Sequence, residues 1–192
     1  MSPFLDQHDT GVEHAAEAPL LPQEAVVREI QGALGRGYRR LLVLGPPRSR
    51  RLACVRKALG ANFKLAIIDL GSVRSRSDLD SAVRRAAKGA DFYGGMRRLQ
   101  RQGQRRRIAI IFHNFDGCFG SPAEDHVVYR IWSEVSYHCE SPWVAFTARN
   151  PAFVVRLVGS FGSFRAYVRK ITFSGDRPGG FSQVKGLPRR AP

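Results

Sequence analysis

Short apolar runs alternate with helix-like segments along this chain. Residues 41–44, 65–68, 108–112 and 143–146 are uninterrupted apolar runs of four or five residues. Runs of this kind are typical of strands that are covered on both faces. A fifth strand is predicted over residues 167–173. Because helix-like segments lie between these runs, the pattern predicts a three-layer α/β fold with a five-stranded parallel sheet.

The predicted helices follow from apolar spacing and from capping residues. Residues 23–34, 49–59 and 151–158 have an apolar face at helical spacing. Ser77 is predicted to cap a further helix, whose first turn is acidic and whose last turn is basic. Residues 121–124 have the form of a capping box that opens another helix. The pair Gly94–Gly95 is predicted to mark a turn.

Composition divides the chain into three parts. Residues 1–21 are polar and acidic without hydrophobic periodicity, so a disordered arm is expected there. Residues 22–173 form the predicted domain. Residues 174–192 are rich in glycine and proline and are basic, which predicts a flexible tail. The longest apolar run has five residues, so no transmembrane helix is predicted. The first residues resemble neither a secretory signal nor a transit peptide, so a cytoplasmic location is expected.

Charge points to a polyanionic partner. The chain has 31 Lys and Arg against 16 Asp and Glu, a net charge of +15. Such a chain is drawn to nucleic acid or to an acidic protein. The densest basic cluster, which precedes the third strand, consists of Arg97, Arg98, Arg101, Arg105, Arg106 and Arg107. It is a candidate nucleic-acid surface, although a merely solvated face explains it equally well. No aromatic residue interleaves with the cluster, so base stacking is not predicted.

The spacing of the cysteines and histidines indicates neither a disulfide framework nor a metal site. The three cysteines have no C-x-x-C spacing, which argues against a disulfide framework. The histidines and cysteines together match no standard zinc-finger spacing, so no metal site is predicted.

The turn between the first strand and its helix is the strongest functional signal. Strand, glycine-containing turn and helix together form the arrangement that binds phosphate. The turn reads Gly45, Pro46, Pro47, Arg48, Ser49, Arg50, Arg51 and Leu52. It resembles the G-P-P-G-x-G-K-[ST] loop of the AAA+ ATPases, a branch of the P-loop NTPases. Residues 108–112 are similar to the family's Walker B strand, and residues 143–147 are similar to its sensor-1 strand. The resemblance implies ATP and Mg²⁺ as candidate cofactors and residues 45–52 as the nucleotide-binding turn.

The turn departs from the family pattern at four positions. Arg48 and Arg50 stand where the family has glycines, which let the backbone approach the phosphates. Arg51 keeps the charge of the family's lysine but not its shape, and Leu52 has no hydroxyl for Mg²⁺. Because three arginines at a helix N-terminus oppose the helix dipole, we expect an anion or acidic group beside them.

The predicted catalytic positions depart from the family as well. The third strand ends in His113–Asn114 where the family has Asp-Glu, and Asp116 is the only acid nearby. The resemblance implies roles for Asn114, Thr147 and Asp116 at the nucleotide. It also implies that Arg165 reaches the nucleotide of a neighbouring subunit in a homo- or hetero-oligomer of AAA+-like chains.

Three functions follow as expectations. The favoured one is a degenerate AAA+-like protein, a pseudoenzyme that acts as a regulatory or assembly subunit on nucleic acid with weak or no ATP hydrolysis. Too few residues follow the last strand for the family's helical lid. One alternative is an active ATPase that uses Arg51 for phosphate and Asp116 for metal. The other is a basic structural module that binds nucleic acid and has no nucleotide role.

Overall fold

A computed structural model describes residues 23–46, 49–118, 120, 124–161 and 168–173. These residues contain a five-stranded parallel sheet in the order β2-β3-β4-β1-β5. The strands are β1 (Arg40–Leu44), β2 (Lys64–Asp69), β3 (Ile108–His113), β4 (Trp143–Ala148) and β5 (Arg169–Thr172). The predicted fold class is therefore confirmed. β1 lies between β4 and β5, so the turn that follows β1 has a neighbouring strand on each side.

Helices cover both faces of this sheet. They are α1 (Gln23–Gly35), α2 (Arg51–Leu59), α3 (Arg76–Ala87), α4 (Phe92–Gly103), α5 (Glu124–Tyr137) and α6 (Pro151–Ser160). Leu41 and Val43 of β1 pack in the core with α1 and α2. Leu42 and Leu44 point the other way, into the core formed with α3 to α6. This alternation follows from the two-residue period of a strand and produces the three layers.

An aromatic cluster fixes the carboxyl end of β3 against its neighbours. The rings of Phe112 and Phe146 stack with centroids 5.4 Å apart, and Phe115 lies 4.7 Å from Phe146 and 5.4 Å from Phe153. Phe112, Phe115 and Phe146 are fully buried. The cluster joins β3, β4 and α6, and so it positions the polar residues that follow the two strands.

The turn predicted at Gly94–Gly95 is wrong, because both residues lie inside α4. Asp91 caps this helix by accepting a hydrogen bond from Gly94 N at 2.7 Å. A Cβ atom on Gly95 would lie 2.3 Å from Cγ1 of Val83 on α3. Here glycine serves a close approach between two helices, which local sequence cannot distinguish from a turn signal.

Several predicted boundaries shift. Ser75, and not Ser77, caps α3 by accepting a hydrogen bond from Asp78 N at 3.2 Å. The second helix begins at Arg51 instead of residue 49, because Arg50 adopts a left-handed conformation with φ of 51°. The fifth strand is shorter than predicted. The predicted arm, the predicted tail and residues 121–123 of the capping box lie outside the described residues. No helix in the described part is long and apolar enough to cross a membrane.

Candidate functional site

The carboxyl ends of the parallel strands meet at one edge of the sheet, where ligands bind in open α/β folds. The turn after β1 lies at this edge, beside residues that follow β3 and β4. Asp69, the last residue of β2, also lies here, opposite His113 of β3. Sequence reasoning missed Asp69, although its place at the end of an apolar strand was visible. The edge therefore brings together three of the predicted catalytic positions and one acid that was not predicted.

Several donors of the turn after β1 form hydrogen bonds to oxygens of the protein itself. Gly45 N donates to Ala148 O at 3.2 Å, and Ser49 N donates to Pro46 O at 3.0 Å. Ser49 Oγ donates to the same Pro46 oxygen at 2.6 Å. Pro46 and Pro47 have no N–H group. A Cβ atom on Gly45 would lie 2.7 Å from Cδ2 of Phe173, so this glycine is required by space. Gly45 N and Ser49 N, two backbone donors in the described part of the turn, are thus not available to an anion.

Arg51 occupies the interior of the turn. Its side chain is buried, with 4% of the residue exposed. Its Nη1 donates to the backbone oxygens of Gly45 and Pro46 and lies 3.3 Å from Ser49 Oγ. Burial lowers the pKa of Arg51, and the neighbouring Asp116 opposes that change. The turn therefore presents acceptors to a cation, which is the opposite polarity to a phosphate cradle.

The remaining described residues of the turn serve other contacts. Arg50 is exposed and makes no side-chain cap bond at the start of α2. Leu52 packs partly buried against the core between α1, α2 and the sheet. Its side chain thus contributes to packing and offers no metal ligand. Pro47 and Arg48 lie outside the described residues.

Thr147 connects β4 to the end of β3. It is fully buried, and its Oγ1 lies 2.7 Å from Nδ1 of His113. The same hydroxyl oxygen accepts a hydrogen bond from Asn114 N at 3.2 Å, and Thr147 O accepts one from Phe115 N at 2.8 Å. These bonds hold the chain as it leaves β3. Burial lowers the pKa of His113, the Arg51 and Arg149 cations add to this, and Asp69 and Asp116 oppose it.

Asn114 connects β3 to β2. Its backbone is left-handed, with φ of 52°, and its Nδ2 donates to Asp69 Oδ1 at 3.0 Å. Asp69 Oδ1 also accepts a hydrogen bond from Gly71 N at 2.9 Å. Although burial acts against it, the bonds from Gly71 and Asn114 keep the pKa of Asp69 below its usual value. Asn114 therefore orients a carboxylate and does not itself replace one.

Asp116 binds the junction between β4 and α6. Its Oδ2 accepts hydrogen bonds from the backbone N of Arg149 at 3.0 Å and of Asn150 at 2.9 Å. The Nε of Arg149 lies 3.7 Å from the same oxygen. Asn150 in turn caps α6 by accepting a hydrogen bond from Ala152 N at 2.9 Å. Asp116 Oδ1 is buried and has no hydrogen-bond partner among the described residues.

These contacts can be compared with what Mg²⁺ and a nucleoside triphosphate would need at the carboxyl edge of the sheet. A triphosphate needs donors in the turn, whereas the Gly45 and Pro46 oxygens face the Arg51 guanidinium. The position of the metal-binding hydroxyl holds the apolar Leu52. The described residues contain no group of three or more His, Cys, Asp or Glu side chains that could hold a metal ion. In this arrangement the described residues differ from the Mg²⁺-ATP site that the resemblance implies at the Arg51 and Leu52 positions.

The structure separates the predicted basic cluster into two parts. Arg97, Arg98 and Arg101 are exposed on α4, which packs against α3. Arg105, Arg106 and Arg107 are exposed between α4 and β3, at the amino end of that strand. All six are thus away from the turn after β1, and their contact with nucleic acid stays a prediction. Arg165 lies outside the described residues.

Comparisons with known proteins place the fold. No protein-family model matches the chain, and no curated protein matches it in sequence. Among solved structures, it is similar to the ORC2 protein of Aeropyrum pernix in its ADPNP–ADP complexes, with a TM-score of 0.59 and 12% identity over 84% of this chain and 50% of that one. It is also similar to a Walker-type ATPase of Pyrococcus abyssi, with a TM-score of 0.57 and 14% identity over 80% and 53% of the two chains.

A third similar structure is that of the Aeropyrum pernix ORC1 protein in complex with DNA. Its TM-score is 0.53, with 16% identity over 84% of this chain and 47% of that one. The chain thus spans about half the length of each of these proteins. At such identities the similarity concerns the fold. The five-stranded parallel sheet and its flanking helices give this chain the α/β fold of the P-loop NTPases.

Proposed function

We propose that this protein is a degenerate AAA+-like subunit that regulates or assembles a complex on nucleic acid, with weak or no ATP hydrolysis. The observation that carries the proposal is the buried Arg51 guanidinium, which donates to the Gly45 and Pro46 oxygens. Oxygens of the turn, and not a phosphate, are thus the acceptors of this guanidinium. Hydrolysis needs the phosphate cradle, the metal and a positioned water together.

Charge supports the association with nucleic acid. The net charge is +15, and the six arginines of the predicted basic cluster are all exposed. Such surfaces bind the phosphate backbone without regard to sequence. A similar fold occurs in the Aeropyrum pernix ORC1 protein solved with DNA. The oligomer with AAA+-like subunits and the role of Arg165 in it belong to the same proposal, and sedimentation of the Arg165→Ala variant tests them.

Calorimetric titration with ATP and with ADPNP, each with and without Mg²⁺, tests the loss of nucleotide chemistry. We expect no metal-dependent binding in the micromolar range. The Arg51→Ala variant is the informative comparison, because it removes the cation from the turn. Nucleotide binding that appears only in this variant would support occupation of the site by Arg51. Metal-dependent micromolar binding by the unmodified protein would overturn the proposal.

One observation favours the active ATPase as a second candidate. Asp116 Oδ1 is buried and has no hydrogen-bond partner among the described residues, so it could face a ligand if Arg51 moved away. If the unmodified protein hydrolyses ATP, Asp116→Asn should abolish that activity while Glu140→Gln leaves it intact. If nucleotide has no role, adding ATP and Mg²⁺ should leave nucleic-acid affinity unchanged, as the structural-module alternative requires.

A further inference from the structure

A cleft of about 780 Å³ lies at the amino edge of the sheet, opposite the turn after β1. Segments that enter four adjacent strands line it. The lining residues include Tyr38 and Arg39 before β1, Phe63 before β2, and Arg105, Arg106 and Arg107 before β3. None of the turn residues that the structure describes lines the cleft. Its chemistry is therefore separate from that of the candidate nucleotide site.

The cleft is strongly basic. Among the described residues that line it are four arginines and no Asp or Glu. All four are exposed, and within the described chain Arg105, Arg106 and Arg107 form no ion pair. Arg39 Nη1 donates to Glu140 O at 2.6 Å, which leaves the other donors of its guanidinium for a ligand. Several guanidinium groups around one concave surface suit a chain of phosphates.

An aromatic ring lies beside these arginines. The side chain of Tyr38 is 41% exposed, while its backbone is held by two bonds. Trp143 Nε1 donates to Tyr38 O at 2.8 Å, and Tyr38 N donates to Ala33 O at 3.1 Å. Phe63 is half-buried against Trp143, with ring centroids 6.3 Å apart. Tyr38 and Phe63 are distant from Arg105–Arg107 in sequence, and they line the same cleft because the strands that follow these segments lie parallel in one sheet.

We propose that this cleft binds single-stranded nucleic acid, with a base stacked on Tyr38 and the flanking phosphates held by Arg39 and Arg105–Arg107. The inference rests on the proposed association with nucleic acid and names the form that is recognised. A rigid ring next to a basic groove is the usual arrangement for single strands, whose bases are free to stack. A duplex presents its phosphates but keeps its bases stacked inside, so the ring would add little to its binding.

Fluorescence anisotropy tests the proposal with labelled thymidine and uridine oligomers of about 15 nucleotides, the length of a typical single-strand site. An abasic oligomer and a duplex of equal length supply phosphates without accessible bases. We expect Tyr38→Ser to weaken thymidine or uridine binding about tenfold, as loss of one base stack does. Binding of the abasic oligomer and of the duplex should not change. Comparison of the two oligomers separates DNA from RNA preference.

Two variants serve as matched controls. Tyr38→Phe keeps the ring and should bind like the unmodified protein. Tyr129→Ser removes a tyrosine that is 60% exposed and lines a different depression, and it should also have no effect. Thermal melting of each variant verifies that it is folded. Replacing Arg105, Arg106 and Arg107 with Gln should reduce the salt dependence of binding, by about 0.7 in the log–log slope for each phosphate that is no longer neutralised.

Equal thymidine affinity in Tyr38→Ser and in the unmodified protein would overturn the inference, as would equal affinity for the thymidine and abasic oligomers. Either result would leave a charge-only surface, and the proposed association with nucleic acid would survive. Tighter binding of polyglutamate than of any oligonucleotide would instead identify an acidic protein as the partner. No binding of any polyanion at low salt would remove the nucleic-acid part of the proposed function as well.

Discussion

At the scale of single residues, the buried Arg51 finds backbone acceptors for one nitrogen, while its Nε has no hydrogen-bond partner among the described residues. Its guanidinium donates to two backbone oxygens of the preceding turn. Removing it in Arg51→Ala leaves those oxygens without their donor, so we expect a loss of about 1–3 kcal/mol in unfolding free energy. Urea denaturation measures this value. Arg50→Ala is the control, since that side chain is exposed and should change stability by less than about 0.5 kcal/mol. Equal effects of the two variants would contradict this account.

Glu134 adds a pH dependence at the same scale. Burial raises the pKa of Glu134 above its ordinary value of 4.5, although His138 and Arg97 oppose the shift. The protonated carboxyl is thus favoured in the folded protein. Its contribution to stability is fully present below the unfolded value of 4.5 and is lost as the pH rises from there through the higher folded pKa.

Glu134→Gln removes this loss, because the amide stays neutral. We expect the variant to have a higher urea midpoint than the unmodified protein at neutral pH and the same midpoint near about pH 4. Glu140→Gln, at an exposed position, is the control. A Glu134→Gln variant that is less stable at neutral pH would mean that the ionised carboxylate is favoured after all.

At the scale of elements, the close approach of α3 and α4 depends on one glycine. A Cβ atom on Gly95 would lie 2.3 Å from Val83 Cγ1 and 3.4 Å from Ala87 Cβ. Gly95→Ala should therefore force the helices apart and cost about 1–3 kcal/mol of unfolding free energy. Gly94→Ala, at an exposed position of the same helix, should destabilise far less, because its Cβ would meet only Asp91 Oδ1, at 3.1 Å, and alanine favours a helix over glycine by up to about 1 kcal/mol. Urea denaturation of both variants measures these effects. If both variants were destabilised equally, the cause would lie at the start of α4 and not in the contact with α3.

The same glycines show why some elements were predictable and others were not. β1, β3 and β4 are buried on both faces, and β2 is buried on one face and partly buried on the other, so their apolar runs marked these four strands to within two residues at each end. α4 was missed because Gly94 and Gly95 resemble a turn until Val83 is seen beside them.

The candidate sites likewise have features that neighbouring residues predict and features that depend on distant segments. The turn at residues 45–52 was located from its neighbours in sequence. The contact between Thr147 and His113 and the place of Tyr38 beside Arg106 depend on pairing between distant segments. The three arginines predicted an anion or an acidic group beside them. Arg51 has Asp116 as a charged neighbour, but its hydrogen bonds to backbone oxygens of the turn were not predictable from sequence.

At the scale of the whole molecule, repulsion among the bases outweighs the few ion pairs. The chain carries 31 bases against 16 acids, and the described residues hold three ion pairs, at 3.6 to 3.9 Å. The Arg169–Glu29 pair, whose side chains are 45% and 35% exposed, contributes little, and a large net charge of one sign destabilises the compact state. Raising the salt from about 10 mM to about 150 mM shortens the screening length from about 30 Å to about 8 Å. We therefore expect salt to raise the thermal midpoint.

The arginines of the amino-edge cleft provide the comparison. Replacing Arg105, Arg106 and Arg107 with Gln removes three exposed charges, so the midpoint at low salt should rise and its gain from added salt should shrink. Scanning calorimetry at the two salt concentrations measures both effects. A midpoint that falls with salt would mean that ion pairs dominate the electrostatics of the fold. In that case the exposed arginines would have to be balanced by acids within the protein, and the positive potential on which the cleft relies would be absent.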